Sequence, residues 1–434
     1  FEANQREGIG VDWPVRYDDI APWYDYVERF AGIAGNADGL SQLPDGVFQP
    51  AFALTCAEED FKSKVEAAFP GRNVIAARVA HLTDATEEQR ALGRSNCRVR
   101  DRCEHGCIYR AYFSSINATL PAAQRTGNLT MVHNAIVQSL EYDPATARVT
   151  GIRVIDAETK QTRVYTSRVV FLNASTIASA MILLQSTSET FPNGLANRSD
   201  QVGRNLMDHI SGAGARGLMS GFEDKTVFGR RPGGIYIPRY ANITETDKPY
   251  LRGFGYQGGA RPVSSTNGPG IGRNFKEAHR AHGPWSVSIG AFGEQLPSPD
   301  NRVTLHPSRL DQWGNPVAVL NVTYGDNERI MMGEARKDAI AMLEAAGCTD
   351  ITSGDANLTR PGNRIHEMGS ARMGRDPGTS VLNGRCQAHD IDNLFVTDGS
   401  FMASSACQNP SLTYMAFSAR AADYAADLMA DGTF

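Results

Sequence analysis

The sequence has no apolar run long enough to cross a bilayer, little net charge and no internal repeat. Its 43 Lys and Arg residues against 48 Asp and Glu residues give a formal net charge of only −5, whereas nucleic-acid-binding domains are strongly basic. Nucleic acid is therefore not an expected partner. The 434 residues, of which 41% are hydrophobic, are too many for one ordinary core and predict a soluble globular protein of two domains without a transmembrane segment.

Two further features are missing near the start of the chain. No G-x-G-x-x-G or G-x-G-x-x-A sequence follows a strand there, although dinucleotide-binding folds use this turn to bring backbone N–H groups onto a pyrophosphate. The sequence begins at Phe1 instead of a methionine and shows no signal peptide, so we expect the true start to lie outside this sequence. An odd number of 7 cysteines leaves both a bacterial-type cytoplasmic and a periplasmic location open.

The C-terminal segment, residues 366–429, carries the side chains with the clearest chemistry. His366 can hold a proton near neutral pH, and Asn409 offers both a hydrogen-bond donor and an acceptor. Between them, the apolar run 394–396 ends at Asp398 and Gly399, which predicts a strand followed by a polar turn. Pro410 predicts the start of a helix, whose unpaired N–H groups favour anionic or electron-rich ligands.

The order of motifs in this segment is H-x-M-G-(S/T)-x-R-M-G, then N-L-(F/Y)-V-x-D-(G/A)-S, then N-P-(S/T)-x-T. It resembles the end of the glucose-methanol-choline (GMC) family of FAD-dependent oxidoreductases. The W-P-V-R-Y segment at 13–17 and the V-G-R-N-L-M-D-H junction at 202–209 resemble other parts of that family. The resemblance implies an α/β (α+β) fold, with a Rossmann-like FAD-binding domain and a substrate domain built on an antiparallel sheet.

We expect three segments within this fold. Residues 1–209 would form part of the FAD-binding domain with cap segments, 210–360 the substrate domain, and 361–434 the return to the FAD-binding domain with the catalytic residues. Since the glycine fingerprint is missing, we expect the FAD-binding domain to be incomplete here, without its first nucleotide-binding βαβ unit.

Local patterns support an antiparallel substrate domain. Strand candidates separated by glycine-rich loops occur at 233–238, 250–257, 284–292, 302–307 and 317–322. A helix is predicted over 326–346, where Gly347 provides a stop signal. Further strands are predicted at 73–79, 129–132 and 135–140.

The resemblance also implies roles for individual residues. In the family the histidine matching His366 takes the hydroxyl proton of an alcohol while hydride passes to the flavin, and Asn409 would hydrogen-bond the same oxygen. No side chain accepts hydride, so a bound flavin is required. The family's FAD contacts fall on Val137, Asn173, Ala174, Asp398, Gly399, Asn409, Pro410 and Thr413. Asn173 and Ser175 depart from the family's usual Ala-Gly-Ala segment, and His209 is interpreted as a structural, hydrogen-bonding residue.

Three cysteines, Cys97, Cys103 and Cys107, lie close together in the sequence and near His105. Clustered thiols can ligate metal, form a disulfide or stay free. This segment resembles the part of membrane-linked sugar dehydrogenases of the family that carries three cysteines for an iron–sulfur cluster. The spacing fits neither a zinc pair nor a four-Cys ferredoxin, so a disulfide or free thiols are favoured over a cluster, and no other metal site is predicted.

An asparagine at the second catalytic position resembles the family branch that includes several sugar oxidoreductases. We therefore expect oxidation of a hydroxyl group of a sugar or glycoside, as by a glucoside 3-dehydrogenase, with the proton passing to His366 and hydride to flavin N5. The electron acceptor is unidentified, with a small subunit or a cytochrome as candidates. Alternatives are an aliphatic-alcohol, aryl-alcohol or choline-type enzyme, a non-redox lyase with His366 as base, and a flavin-free binding subunit.

Overall fold

The structure is a computed structural model that describes residues 1–227, 229, 231–263, 270–280, 283–354 and 358–434. The helices are α1 Ala3–Glu7, α2 Tyr17–Ala31, α3 Cys56–Ala68, α4 Glu87–Ala91, α5 Thr119–Arg125, α6 Thr176–Gln185, α7 Arg273–Arg280, α8 Asp326–Ala345 and α9 Ser411–Ala430. The first strands are β1 Ala34–Gly35, β2 Gln49–Pro50, β3 Ile75–Ala76, β4 Ala135–Asp143, β5 Arg148–Asp156, β6 Thr162–Thr166, β7 Val170–Leu172, β8 His209–Ile210 and β9 Gly214–Met219. They are followed by β10 Ile235–Ile237, β11 Phe254–Pro262, β12 Trp285–Glu294, β13 Arg302–Leu310, β14 Pro316–Asn321, β15 Thr349–Ser353, β16 Gln387–Ala388 and β17 Ile391–Val396.

The largest sheet is antiparallel, with the strand order β15-β9-β12-β11-β10-β3 and the short β8 paired to β12. Successive side chains of a strand point to opposite faces of the sheet. On one face, Val287, Ile289 and Ala291 of β12 share a buried core with Met331 and Met332 of α8. Alternate residues of the same strand, among them Gly290, face the other side and leave it available for a ligand.

A second core forms where the two ends of the chain meet. β7 and β17 run parallel, and β16 pairs antiparallel with β17. Trp13 packs against Phe401 and Phe417 in this core, which also contains Phe395 of β17. Because β7 and β17 are parallel, their carboxyl ends lie at the same edge of the sheet. The predicted α/β (α+β) fold with an antiparallel sheet is therefore confirmed, while the segment boundaries at 209 and 360 stay predictions.

The third sheet, β4-β5-β6, is antiparallel and is tied to the second core by one buried asparagine. Asn393 of β17 donates from Nδ2 to the carbonyl oxygens of Val149, at 2.7 Å, and Arg168, at 2.8 Å. Its Oδ1 accepts from the backbone N–H of Val149 at 3.0 Å. Both N–H donors and the oxygen of this amide thus have partners inside the protein, which fixes β5 beside β17.

Several predicted elements are shorter than expected or absent. The strand predicted at 73–79 is reduced to β3, and 129–132 forms no strand, with the side chains of Leu129, Met131 and Val132 exposed. Because no described strand lies beside residues 129–132, this segment has no neighbour with which to form a sheet. The predicted helix at 326–346 is confirmed as α8, and α9 begins one residue after Pro410.

The carboxylate of Glu58 joins α3 to the large sheet and is almost fully buried. Glu58 Oε2 accepts from the backbone N–H of Thr55 at 2.8 Å, and Glu58 Oε1 accepts from the N–H of Ala260 in β11 at 3.1 Å. The guanidinium of Arg231 forms an ion pair with the same carboxylate. Two backbone donors and one cation therefore depend on a single buried side chain.

We expect Glu58→Gln to lower the free energy of unfolding by about 2–4 kcal/mol, because the new NH₂ group faces a backbone donor and Arg231 loses its counter-ion. Urea titration followed by circular dichroism measures this change. The exposed neighbour Glu59 provides the matched control, and Glu59→Gln should change stability by less than about 0.5 kcal/mol. Equal losses in the two variants would show that the buried carboxylate does not hold α3 to the sheet.

No helix in the described ranges is both long and apolar enough to cross a membrane.

Candidate active site

Two histidines from distant parts of the sequence form a direct contact. Nδ1 of His209, in β8, lies 2.8 Å from Nδ1 of His366, and the ring planes are nearly perpendicular, at 83°. His209 is fully buried, whereas His366 is partly exposed. Since both δ nitrogens are used in this hydrogen bond, only Nε2 of His366 is left to act on a ligand.

The carboxylate of Asp208 holds the backbone around this pair in place. It accepts hydrogen bonds from the N–H groups of His209 at 2.7 Å, Arg364 at 2.5 Å and His366 at 3.2 Å. Burial raises the pKa of the Asp208 carboxyl to about 6, although these backbone donors act in the opposite direction. Asp208 therefore connects two segments that are more than a hundred residues apart and fixes the path of the chain on both sides of His366.

The surroundings keep both imidazoles neutral. Burial, assisted by the neighbouring His366, lowers the pKa of His209 to about 3. The nearby backbone of Ser405 and Ala406 acts in the opposite direction and raises the pKa of His209. Burial, followed by the positive charge of Arg364, lowers the pKa of His366. A neutral His366 can accept a proton at physiological pH.

Asn409 lies at the start of α9 and is bonded to the large sheet. Its Oδ1 accepts from Nε2 of Gln257, in β11, at 3.1 Å. The side chain of Asn409 is exposed, and in the described structure no hydrogen bond joins it to His366. Gln257 is opposite Gly290 of β12, and Gly290 is opposite Gly214 of β9. Asn409 therefore stands over the face of the sheet that α8 does not cover.

Most of the predicted FAD-contacting residues cluster at the common edge of β7 and β17. Asn173 Oδ1 accepts from the Thr397 N–H and hydroxyl, and Asp398 Oδ2 accepts from the Ser179 hydroxyl at 2.5 Å. Ala174 belongs to the same group, because its N–H donates to Ser179 Oγ at 3.1 Å. This edge is where the loops that bind nucleotides are found in α/β sheets.

Gly399 and Thr413 extend this cluster to α9. A side chain at Gly399 would come within 2.5 Å of the Glu367 carbonyl oxygen, so glycine is required for the close approach of these segments. Thr413 Oγ1 lies 2.7 Å from the Tyr24 hydroxyl. Val137 is not brought to this group, since it lies in the separate β4-β5-β6 sheet with its side chain 36% exposed.

Ser175, between β7 and α6, has a backbone conformation that favours glycine. Its φ of 75° and ψ of 153° are costly for any residue with a Cβ. We expect Ser175→Gly to raise the free energy of unfolding by about 1 kcal/mol, measured by chemical denaturation. Ser115 is an exposed serine without positive φ, so Ser115→Gly should bring no gain. A loss of stability in Ser175→Gly would show that the backbone conformation of Ser175 is not strained.

The three clustered cysteines line a separate cavity of about 270 Å³. All three thiols are free, and Cys103 Sγ lies 3.4 Å from Nε2 of His81. Burial lowers the pKa of His81 to about 4 and raises the pKa of the Cys97 and Cys103 thiols. Cys107 is also partly exposed.

The chain matches the two sequence models of GMC oxidoreductases, the N-terminal one over residues 10–211 and the C-terminal one over residues 297–418. The chain belongs to the GMC oxidoreductase family. It is 27% identical to the fructose dehydrogenase large subunit of Gluconobacter japonicus, over 98% of this chain and 76% of that protein. It is 28% identical to the 2-methyl-1,2-propanediol dehydrogenase of Mycolicibacterium austroafricanum, over 95% of this chain and 74% of that protein.

Its fold is similar to that of the pyridoxine 4-oxidase from Mesorbium loti, with a TM-score of 0.60 and 15% identity over 98% of this chain and 80% of that one. The chain is thus an FAD-dependent GMC oxidoreductase acting on CH–OH groups. Because the N-terminal family match begins at residue 10, the expectation of a missing nucleotide-binding segment is not supported. An iron–sulfur cluster on Cys97, Cys103 and Cys107 is not supported either.

The residues at the edge of β7 and β17 fit a bound flavin. The hydroxyl groups of Ser400 and Tyr414 are buried there without a hydrogen-bond partner, and Tyr414 OH lies beside Gly399. A buried hydroxyl without a partner is costly, so a bound polar group would satisfy both.

The sequence did not predict the contact of His209 with His366. The available signal was the Asp208-His209 pair in the V-G-R-N-L-M-D-H junction.

Proposed function

We propose that this protein oxidises a hydroxyl group of a sugar or glycoside, with His366 as the base that takes the hydroxyl proton. The observation that carries the proposal is the His209–His366 hydrogen bond at 2.8 Å, which orients a neutral imidazole two residues after Arg364, a residue that lines the open pocket on the sheet. The similarity to a fructose dehydrogenase large subunit supports a sugar as substrate. Our specific candidate is a glucoside 3-dehydrogenase-like reaction at a ring hydroxyl.

The proton on His366 is positioned by its neighbour. In this proposal His209 carries its proton on Nε2, which is buried without a hydrogen-bond partner and has the backbone of Ser405 and Ala406 nearby. Nδ1 of His209 would then accept, and Nδ1 of His366 would donate, in the 2.8 Å hydrogen bond. Nε2 of His366 consequently carries a free lone pair and can remove the substrate proton.

FAD, when bound, supplies the acceptor for the hydride that leaves the carbinol carbon. Asn173, Ala174, Asp398, Gly399, Pro410 and Thr413 would hold it at the edge of β7 and β17, with Val137 as the family's adenine contact. Asn409 would donate its amide N–H to the substrate oxygen, since its Oδ1 is already occupied by Gln257. That donor would stabilise the alkoxide character that develops as His366 removes the proton.

The uncovered face of the large sheet suits a small polyol. An open pocket of about 410 Å³ lies there, lined mainly by Gly, Ala and Ser residues between positions 211 and 215 and by Gly290 and Ala291. Small side chains leave backbone polar groups within reach of ligand hydroxyls. The pocket extends to Phe292 and Arg364, and Phe292 packs against the ring of His209.

The holoprotein tests this proposal directly. Visible spectra are recorded anaerobically before and after addition of glucose, a β-glucoside and a simple aliphatic alcohol. We expect the sugars to bleach the flavin bands, and a dye to reoxidise the flavin faster than O₂ if the enzyme is a dehydrogenase. Bleaching by the aliphatic alcohol alone would instead support the alternative alcohol oxidoreductase. Flavin bands unchanged by every alcohol would contradict redox turnover and favour a lyase.

A further inference from the structure

Two arginines reach the pocket on the uncovered face of the large sheet. Arg216 of β9 lies two residues beyond Gly214 and therefore points to the same face. Its partners in register are Ser288 of β12 and Thr352 of β15, so three polar side chains form one row across the sheet. Arg364 enters from the segment that leads to His366, with its guanidinium 5.5 Å from the centre of the Phe292 ring.

Neither guanidinium is neutralised within the described residues. No described carboxylate lies at ion-pair distance from Arg216 or Arg364, and Nε of Arg364 is buried without any hydrogen-bond partner. Three other arginines, by contrast, are each paired with a carboxylate, as in Arg72 with Glu245, Arg204 with Asp200, and Arg231 with Glu58. Among the described residues that line it, the pocket thus has two cations and no acid.

Uncompensated cations in one pocket favour an anion. A buried N–H donor without an acceptor costs about 1–3 kcal/mol, and a ligand oxygen would remove that cost. Guanidinium groups bind carboxylate and phosphate oxygens through two parallel hydrogen bonds, which gives orientation as well as affinity. The neutral floor of glycine, alanine and serine leaves room for a sugar ring beside such a contact.

We propose that Arg216 and Arg364 bind an anionic group carried by the sugar substrate, so that sugar acids or sugar phosphates are preferred to neutral sugars. This inference rests on the proposed function, because it concerns the substrate of the same site. Arg364 stands two residues before His366 in the sequence, so an anion held by the two arginines would place the sugar near the His209–His366 pair. The ring hydroxyl to be oxidised would then point toward His366.

The test compares three substrates that share a pyranose ring: methyl β-D-glucopyranoside, methyl β-D-glucopyranosiduronate and glucose 6-phosphate. The rate constant of anaerobic flavin reduction divided by the apparent Kd is measured for each with the holoenzyme. We expect at least one anionic sugar to exceed the neutral glycoside about 10-fold or more, and this preference to weaken with added salt. Whichever anion is preferred identifies the group as carboxylate or phosphate.

Variants test whether the preference for anionic sugars depends on the two arginines. Arg216→Gln and Arg364→Gln should each lower the ratio of anionic to neutral substrate by about 10-fold. Arg309→Gln removes an exposed arginine of β13 outside the pocket and should leave the ratio unchanged. Equal efficiency for all three sugars in the unmodified enzyme, or a ratio that Arg216→Gln and Arg364→Gln do not alter, would overturn the inference.

Calorimetric titration separates failure of this inference from failure of the proposed function. Heat of binding is measured for the glucuronide, for glucose 6-phosphate and for the neutral glycoside, with the unmodified protein and with the two pocket variants, and no turnover is required. Binding that depends on the arginines without any bleaching of flavin would retain the anion site and reject sugar oxidation. Bleaching by the neutral glycoside with no tighter binding of either anion would retain sugar oxidation and reject the anion site.

Discussion

Replacing His366 by Gln is expected to slow anaerobic flavin reduction by sugar about 10²- to 10⁴-fold, the contribution of a positioned general base. Glutamine fills similar space and keeps a polar side chain, but it cannot accept the hydroxyl proton. The rate is measured by stopped-flow absorbance of the flavin at saturating sugar. His306, on the hairpin of β13 and β14, provides the matched control, and His306→Gln should reduce flavin at the normal rate.

The pH dependence gives an independent check on the same residue. Burial and the charge of Arg364 lower the pKa of His366, so its neutral form persists at a lower pH than that of a free imidazole. The rate of flavin reduction should therefore be level above about pH 6.5 and decline only at more acidic pH. His366→Gln should lose this decline. A variant that reduces flavin at a near-normal rate with an unchanged pH profile would exclude His366 as the base.

The second large effect is expected at His209, which contacts His366 but not the substrate. His209→Leu keeps the volume of the buried side chain and removes the acceptor for the His366 Nδ1 proton. His366 would then be free to rotate and to move its proton to Nε2, where it no longer acts as a base. We expect flavin reduction to slow by about 10²-fold, the scale of loss for a misplaced catalytic group.

A rescue variant distinguishes positioning from simple packing. The Oδ1 atom of an asparagine at 209 can occupy the place of Nδ1 and accept the same hydrogen bond, so His209→Asn should recover much of the rate that His209→Leu loses. Thermal unfolding of both variants is followed by circular dichroism. If the two variants were equally slow while both stayed folded, the hydrogen bond to His366 would have no part in catalysis.

The sequence predicted those parts of the site that are local in the chain. His366, Asp398 and Asn409 belong to one C-terminal segment, and the order of their motifs is enough to indicate the GMC family. The contact between His209 and His366 spans 157 positions, and no periodicity or spacing encodes which distant histidine will meet which. Asp208 stands beside His209 in the sequence, but only folding brings the Arg364 and His366 N–H groups to it.

In the fold, too, the sequence predicts elements that depend on neighbouring residues better than elements that depend on distant partners. The helix predicted at 326–346 follows from its own sequence and is present as α8. The apolar segment 129–132 has the composition of a strand, yet a strand needs a neighbour, and its side chains are exposed. Ser175 departs from the family's usual residues, and only the backbone angles reveal that the position has a glycine-like conformation.

Gly214 and Gly290, which are opposite each other on the uncovered sheet face, bear on how this enzyme's substrate range can change over evolution. A Cβ at Gly214 would collide with the Ile289 carbonyl oxygen at 2.5 Å, so that position is fixed by the sheet itself. A Cβ at Gly290 would meet nothing closer than the Gln257 carbonyl oxygen at 3.9 Å. A single substitution at Gly290 can therefore narrow the space above the sheet without rebuilding it, which gives selection for smaller alcohols a one-step route that changes neither His209 nor His366.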